Sequence, residues 1–543
     1  MSFFEFPHTR TYDNDLGWLI KKIGEMSTKL DNFVNFNAIK YADPIEWNIA
    51  RQYEANTVVI DPLDGTAYIS TNPVPNGVNI GNTDYWTPIF NYGENMDQLR
   101  AELEQMIANL GDDVKITSGV IHKTVTDMIA DKTLAANTLV RTVGYYSVTD
   151  GGGAFYLISD MSGGDSSIEV ELSNGKFGKL IHSGMVCTSQ LGIFPDIEDN
   201  TPVMTRVLNS RAFKKIYFDK QGTYKFSDHI LLHSNLEFYG TGHNTILYCT
   251  RDNADQFGTF IGPVWYGAGI QAEFSTNIFV HDFSVDMYEP AVPEDVNAIS
   301  FGRSDNIRIE NIKIKRSNWR GVNFDTGIAR NILIRNIIFE RVDPYQAIRI
   351  GNAEESGSTP FDITNILIDN CRISGCSGDS IIISGHTTRG NCTNIKITNC
   401  YVNANGNRGI FVQLATGVHI ANCTFINYTN AAVTLALSKN ANISNCIDIT
   451  EYTASIPNIY GFILLNASTN VTVNGIIADK VQVGLRLLGA TSIFALTNST
   501  IVNCFGTPVY STSPDAKGII TGCVLSPEPN ISASPNIVLG TNA

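Results

Sequence analysis

Charge is scarce in this chain of 543 residues: Asp, Glu, Lys and Arg make up only 17% of it, below the roughly 25% of ordinary soluble domains. What charge there is leans acidic, with 38 basic against 53 acidic residues and a net of −15. That is the wrong sign for neutralising phosphates, so no nucleic-acid partner is expected. No run of 18 apolar residues occurs, so no membrane insertion is expected, and Met1 to Arg10 lack the basic-then-apolar pattern of a secretion signal. The ten cysteines include no Cys-x-x-Cys pair, and no dense carboxylate cage for calcium stands out, so neither a metal nor a cofactor is expected. The glycine cluster DGGGAFYLIS (150–159) lacks the Lys-Ser or Lys-Thr of a phosphate-cradling loop and reads as a turn.

Apolar residues, by contrast, reach 43%, enough for a large core and too many for a disordered chain. Asparagine is abundant and uneven: 33 of 52 lie after Thr250. Asparagine at that density disfavours helices and favours corners, because its side chain tolerates left-handed backbone.

The skew has a period. After residue 230 the pattern Asn, apolar, any, apolar, any, Asn or Gly recurs, starting at Asn235, Asn277, Asn306, Asn331, Asn365, Asn394, Gly417, Asn440 and Asn470. Successive starts are 23 to 42 residues apart, the signature of a parallel β-solenoid whose coils stack about 4.8 Å apart. A second strand follows in each unit, aligned as Gly321, Ala347, Ser380, Gly409, Ala432, Gly461 and Gly484, each before an apolar run. The corner amides are expected to bond one another in register. Cys371, Cys400, Cys423 and Cys446 each follow an Asn at one place in the repeat and are expected to stack as small buried hydrophobes rather than as disulfides.

The fold class expected is therefore all-β, a right-handed parallel β-helix over 226–526 with a tail at 527–543. Ahead of it, Leu16, Leu19, Ile23, Met26, Leu30 and Phe33 carry heptad spacing, as do Met96, Leu99, Leu103, Met106 and Leu110. The first places an anchoring helix in 1–40 and the second a coiled-coil helix in 93–118. Helices this short are marginal alone, which points to a parallel homotrimer or dimer, the alternative being amphipathic helices packed on their own domain. Between them, 41–92 reads as a small β-module, and 119–225 as a transition and cap. The aromatics Trp47, Tyr53, Tyr68 and Trp86 of the module loosely resemble those of chitin-binding-type carbohydrate modules, though with Tyr85 they make five aromatics in so small a unit, which also suit its core.

Stacking the coils brings distant residues into register. Trp319 is expected over Tyr345, Arg320 over Gln346, Asp379 and Arg408, and Asn323 over Arg349. This patch also takes in His386 and Arg389. Aromatic platforms with paired carboxylates suit glycan binding and glycoside cleavage, in which one acid protonates the leaving oxygen and another carboxylate activates water or attacks. Asp379, Asp325 and Asp343 are the candidate catalytic acids, with Trp319, Tyr345, Arg349, His386, Arg389 and Arg408 binding substrate. The plainer reading has Asp379 paired with Arg408 on the next rung and Asp325 capping a turn. Lyase chemistry would need a base such as Arg349.

Three segments carry resemblances. LGIFPDIEDNTPVMTRVLNS followed by KKIYFDKQGTYKF resembles the entry of pectate-lyase-like β-helices, GCSGDSIIISGH resembles the Gly-Asp-Asp corner of polygalacturonase-type hydrolases with Ser380 for the second Asp, and SFFEFPHTRTYDNDLGWLI resembles a virion-anchoring start. The whole layout resembles bacteriophage tail-spike and neck-appendage proteins. That resemblance implies a trimer made in the host cytoplasm and fixed to the virion by its N-terminal region through other tail or neck proteins, binding and cleaving a host-surface polysaccharide. A binding-only or structural appendage is the alternative.

Overall fold

The computed structural model describes residues 45–55, 57–61, 66–91, 119–165, 168–250, 259–263, 274–287, 296–317, 319–324, 327–340, 346–351, 361–388, 390–404, 406–450, 461–489, 493–531 and 534–540. Both heptad segments, 16–33 and 96–110, lie outside them. The chain divides into two compact units, one of residues 1–149 and 153–183, the other of 150–152 and 184–543. The boundary thus falls inside the 119–225 segment.

The described residues of the first unit form two small sheets. Strands Ile45–Glu46, Val58–Ile60, Thr66–Ser70 and Trp86–Asn91 form one in chain order. Its aromatics are core: Trp86 and Tyr53 are buried and meet edge to face at 5.4 Å, with Trp47 and Tyr68 packed against them. Ring faces spent in a core are closed to a sugar. A five-stranded sheet follows between Gly119 and Leu180, with a one-and-a-half-turn helix, Val125–Ala130, started by a reciprocal Thr124–Asp127 capping box. Gly153 must be glycine here, since a Cβ would sit 2.5 Å from the Val143 carbonyl oxygen.

The second unit is a stack of parallel strands. Helix Thr201–Ser210 buries Met204, Val207 and Leu208, and strand Lys215–Tyr217 pairs in parallel with Met185–Cys187 before it and Leu236–Tyr239 after it. From there most coils repeat three short strands, and in two of them the long strands Ser275–Met287 and Ser304–Arg316 each take the place of two. The stack begins at Met185 and ends with Asn536–Leu539, which pairs in parallel with Lys517–Thr521. The C-terminal segment therefore adds a rung of its own.

Inside, the motif's two apolar positions form unbroken columns. Ile307, Ile332, Ile366 and Ile395 are in register, as are Ile309, Ile334, Ile368 and Ile397, all at most 1% exposed. Facing them, Ile299, Val322, Ile348, Ile381, Ile410 and Val433 stack in the opposite sheet. Each buried aliphatic side chain contributes about 1.5–3 kcal/mol, and every coil repeats the contribution.

The corners are asparagine for the reason the sequence suggests. Every motif start from Asn235 to Asn470 has positive φ, and so does every motif end except Gly240. Every coil of the motif but the first thus turns left-handed twice, five residues apart, which asparagine does at lower cost than other side chains. The amides then bond along the stack: Asn365 Nδ2 donates to Asn331 Oδ1 at 2.9 Å, and Asn394 Nδ2 to Asn365 Oδ1 at 2.7 Å. A second ladder runs from Asn311 to Asn336 to Asn370 at 2.8 Å per bond. All ten cysteines are free; Cys371, Cys400, Cys423 and Cys446 are buried, each pointing its thiol at the carbonyl two residues back.

One alignment differs by a residue. Gly461 pairs with Ala431, not Ala432, so Phe462 occupies the slot held elsewhere by Gly, Ala or Ser. The slot is small where a ring presses on it, as Phe339 does on Gly321 and Phe425 on Gly409. In that opposing column Phe425 is followed by Asp448 and then, one rung on, by Ala478, and Phe462 fits, packing against Phe425 and Tyr428.

Candidate functional site

The stack assembles much of the lateral patch. Arg320 pairs with Gln346 and Asn323 with Arg349, and the pairings of Ile348 with Ile381 and Ile381 with Ile410 carry the same column through Asp379 to Arg408. Asp379 is 5% exposed. Its Oδ1 accepts from the Arg408 Nε and backbone N–H at 2.8 and 3.0 Å, and its Oδ2 from the guanidinium's second arm at 2.7 Å. Arg408 also lies 3.7 Å over the Phe411 ring. This is the plainer of the two readings of Asp379: a bidentate brace between rungs, whose oxygens are turned to the guanidinium.

The other residues of the patch are less concentrated. Trp319 is half-buried under the Arg320 guanidinium at 4.9 Å. Arg320 Nε donates to Gln346 Oε1 at 3.0 Å, and buried Asn323 donates to Ser300 Oγ at 3.1 Å. Arg349 turns back to the Gly351 carbonyl at 3.3 Å. His386 closes a small turn: its Nδ1 accepts from the Thr388 N–H at 3.2 Å. Asp325, Asp343, Tyr345 and Arg389 lie outside the described residues.

A different surface gathers more open chemistry. The motif's two "any" positions point outward and stack as two parallel columns. One runs Glu237, Phe279, Arg308, Leu333, Leu367, Lys396, His419; the other runs Tyr239, His281, Glu310, Arg335, Asp369, Thr398, Ala421. At the N-terminal end Tyr217, Tyr239 and His281 stack ring on ring at 4.8 Å. Tyr239 and His281 have rings stacked on both faces, with Phe279 beyond His281, so these two present edges rather than platforms.

Beyond them two grooves flank the second asparagine ladder. One, of about 380 Å³, is lined by Arg335, Asp369, Lys396, Asn399, His419 and Asn422 among others. The other, of about 460 Å³, lies beside Asp282, Asn311, Asn336, Asn370, Ile338 and Arg372. Together they follow six stacked corners, a track of about 24 Å at the rung spacing.

Within the first groove Asp369 accepts from Thr398 Oγ1 at 2.7 Å and Asn399 Nδ2 at 2.8 Å and forms an ion pair with Arg335 at 3.5 Å. Burial alone would raise its pKa, but those hydrogen bonds and the charges of Arg335 and Lys396 outweigh burial and hold the carboxyl below its usual range. Burial, reinforced by Lys396, pushes His419 below the usual imidazole value. Lys396 itself is exposed and has no ion-pair or hydrogen-bond partner among the described residues. Arg372 in the second groove is likewise exposed without a carboxylate partner among them, lying 5.4 Å over the Tyr401 ring.

Sequence reasoning passed over Arg335, Asp369, Arg372, Lys396 and His419. Most occupy the positions the motif leaves unspecified, and reading those columns rung by rung would have found them. No group of three or more His, Cys, Asp or Glu able to hold a metal occurs among the described residues, and none of their helices is long and apolar enough to cross a membrane.

A family model described as the right handed beta helix region matches residues 294–448. The second unit is a right-handed β-helix. No curated protein matches the chain. Among solved structures, the chain is similar to the A-module of a mannuronan C-5 epimerase of Azotobacter vinelandii, at 14% identity over 62% of this chain and 98% of that one, TM-score 0.45. It is also similar to the tailspike of Acinetobacter phage vb_AbaP_AS12, at 13% over 74% and 75%, TM-score 0.48. A third is the tailspike of Acinetobacter baumannii bacteriophage Fri1, a capsular polysaccharide depolymerase, at 13% over 78% and 74%, TM-score 0.46.

Proposed function

We propose that this chain is a bacteriophage virion appendage of the tailspike kind, which holds a host-surface polysaccharide along the outer face of its β-helix. The observation that carries the reading is the pair of grooves flanking one asparagine ladder. A rigid track of polar groups repeated rung after rung suits an extended polymer, since each successive unit meets the same kind of hydrogen-bonding edge. The anchor-like opening and heptad segments of the sequence support attachment to the virion through the N-terminal region and assembly as a homotrimer.

Cleavage as an endo-glycosidase is the further part of the proposal. Its candidate acids are Asp379, Asp325 and Asp343, with Trp319, Tyr345, Arg349, His386, Arg389 and Arg408 as candidate substrate contacts. A binding-only appendage is favoured by the fork on Asp379, which leaves that carboxylate poorly placed to donate a proton. Incubating the purified protein with host envelope polysaccharide separates the readings: retained binding with new reducing ends supports cleavage, retained binding without them supports the binding-only role, and absence of binding refutes the proposal.

A further inference from the structure

Charge is not spread evenly along the β-helix. Between Arg303 and His419 stand 14 Lys and Arg against 10 Asp and Glu, a local net of +4 in a chain of net −15. The grooves lie largely within this basic stretch, with Asp369 neutralising Arg335 in one of them. That leaves each groove with one exposed cation lacking a carboxylate partner among the described residues, Lys396 on one side of the asparagine ladder and Arg372 on the other. The two sit on adjacent rungs, since Arg372 pairs with Tyr401 and Leu367 with Lys396. His419, kept neutral near pH 7 by burial and by Lys396, adds a ring N–H donor or acceptor without adding charge.

Resting on the reading of this face as a polysaccharide track, we infer that the grooves select an acidic glycan, seating its anionic substituents, carboxylate or phosphate, on Lys396 and Arg372. The asparagine amides between them bond the neutral hydroxyls, and the cations fix the register of the chain by its charged units. An anion at Lys396 replaces water around an ammonium that has no ion pair among the described residues, so none of theirs has to be broken. The surrounding positive stretch favours approach of a polyanion locally, although the chain as a whole is acidic.

The test uses the full chain and three purified polymers: polygalacturonate, a glycerol-phosphate polymer and neutral dextran. Binding is measured by calorimetry at two salt concentrations. The expected result is binding of at least one anionic polymer, weakened by salt, with dextran bound at least tenfold more weakly. Polygalacturonate and the phosphate polymer tell the two anions apart. K396A and R372A should each weaken that binding about tenfold, the worth of one charged contact. K439A, which removes an exposed lysine outside both grooves, should leave it unchanged, and K396Q guards against a folding artefact. Equal binding of dextran, or unchanged binding by K396A and R372A, would overturn the inference while leaving the polysaccharide reading intact. Duplex DNA bound through the same two residues would overturn the glycan assignment. Failure to bind these polymers and host envelope polysaccharide alike would remove both.

Discussion

Replacing Asp379 by Ala removes three hydrogen bonds of 2.7–3.0 Å from Arg408 and leaves a guanidinium at a mostly covered site, its side chain 22% accessible. Breaking a buried ion pair from one side costs about 3–5 kcal/mol, mostly for stranding the remaining charge. Two features lower the figure. Arg408 reaches some solvent, and its contact with Phe411 at 3.7 Å survives, worth about 0.5–1 kcal/mol. The expected loss is therefore about 3 kcal/mol. Urea unfolding of the purified chain, followed by circular dichroism, measures it as a shift in midpoint at constant slope. The double variant D379A/R408A should recover part of the loss, because no charge is then stranded. A D379A cost below about 1 kcal/mol, or a double variant less stable than the sum of the singles, would refute the brace. A stable D379N that loses glycan cleavage would instead make Asp379 catalytic.

Asparagine corners give a second comparison. N365A removes two exposed amide bonds and leaves at φ 57° a residue without the short polar side chain that offsets left-handed strain, so it should cost about 2 kcal/mol, whereas N365G should cost about 1 kcal/mol because glycine accepts that backbone. Equal urea midpoints for the two would remove the strain argument. Asp369 gives a dependence on pH. Its folded pKa lies below the unfolded value near 3.8, so its stabilisation is fully present above about pH 4 and is lost as pH falls through the folded value. The stability gap between the wild type and D369N should stay level above about pH 4 and close below it; a gap that widens in acid would contradict the hydrogen-bonding scheme.

Much of this molecule can be read locally. A left-handed corner is a property of one residue's backbone, so Asn306 and Asn311 announce their turns without reference to anything distant. Alternation does the same for Ile307 and Ile309. The stacking of Arg320, Gln346, Asp379 and Arg408 also follows from aligning the repeats, because small residues at Gly321, Ala347, Ser380 and Gly409 mark one position in each coil. Gly461 shows where that mark fails: the glycine there is followed by Phe462, whose fit depends on which side chains the opposing sheet presents.

The solenoid, its corners and its inward columns are legible in the chain alone, since strand period and tolerance of positive φ belong to short segments. So are the partners of Asp379 on neighbouring rungs. What those neighbours do with one another is a matter of the folded packing. The Arg408 guanidinium could have faced solvent, and the fork on Asp379 came from side-chain conformation in a crowded wall. The grooves were equally out of reach, because Arg335, Asp369, Lys396 and His419 come from four coils at positions the repeat leaves unconstrained. Their meeting depends on how closely the coils stack, with each strand seating its outward residues beside those of the strand before it.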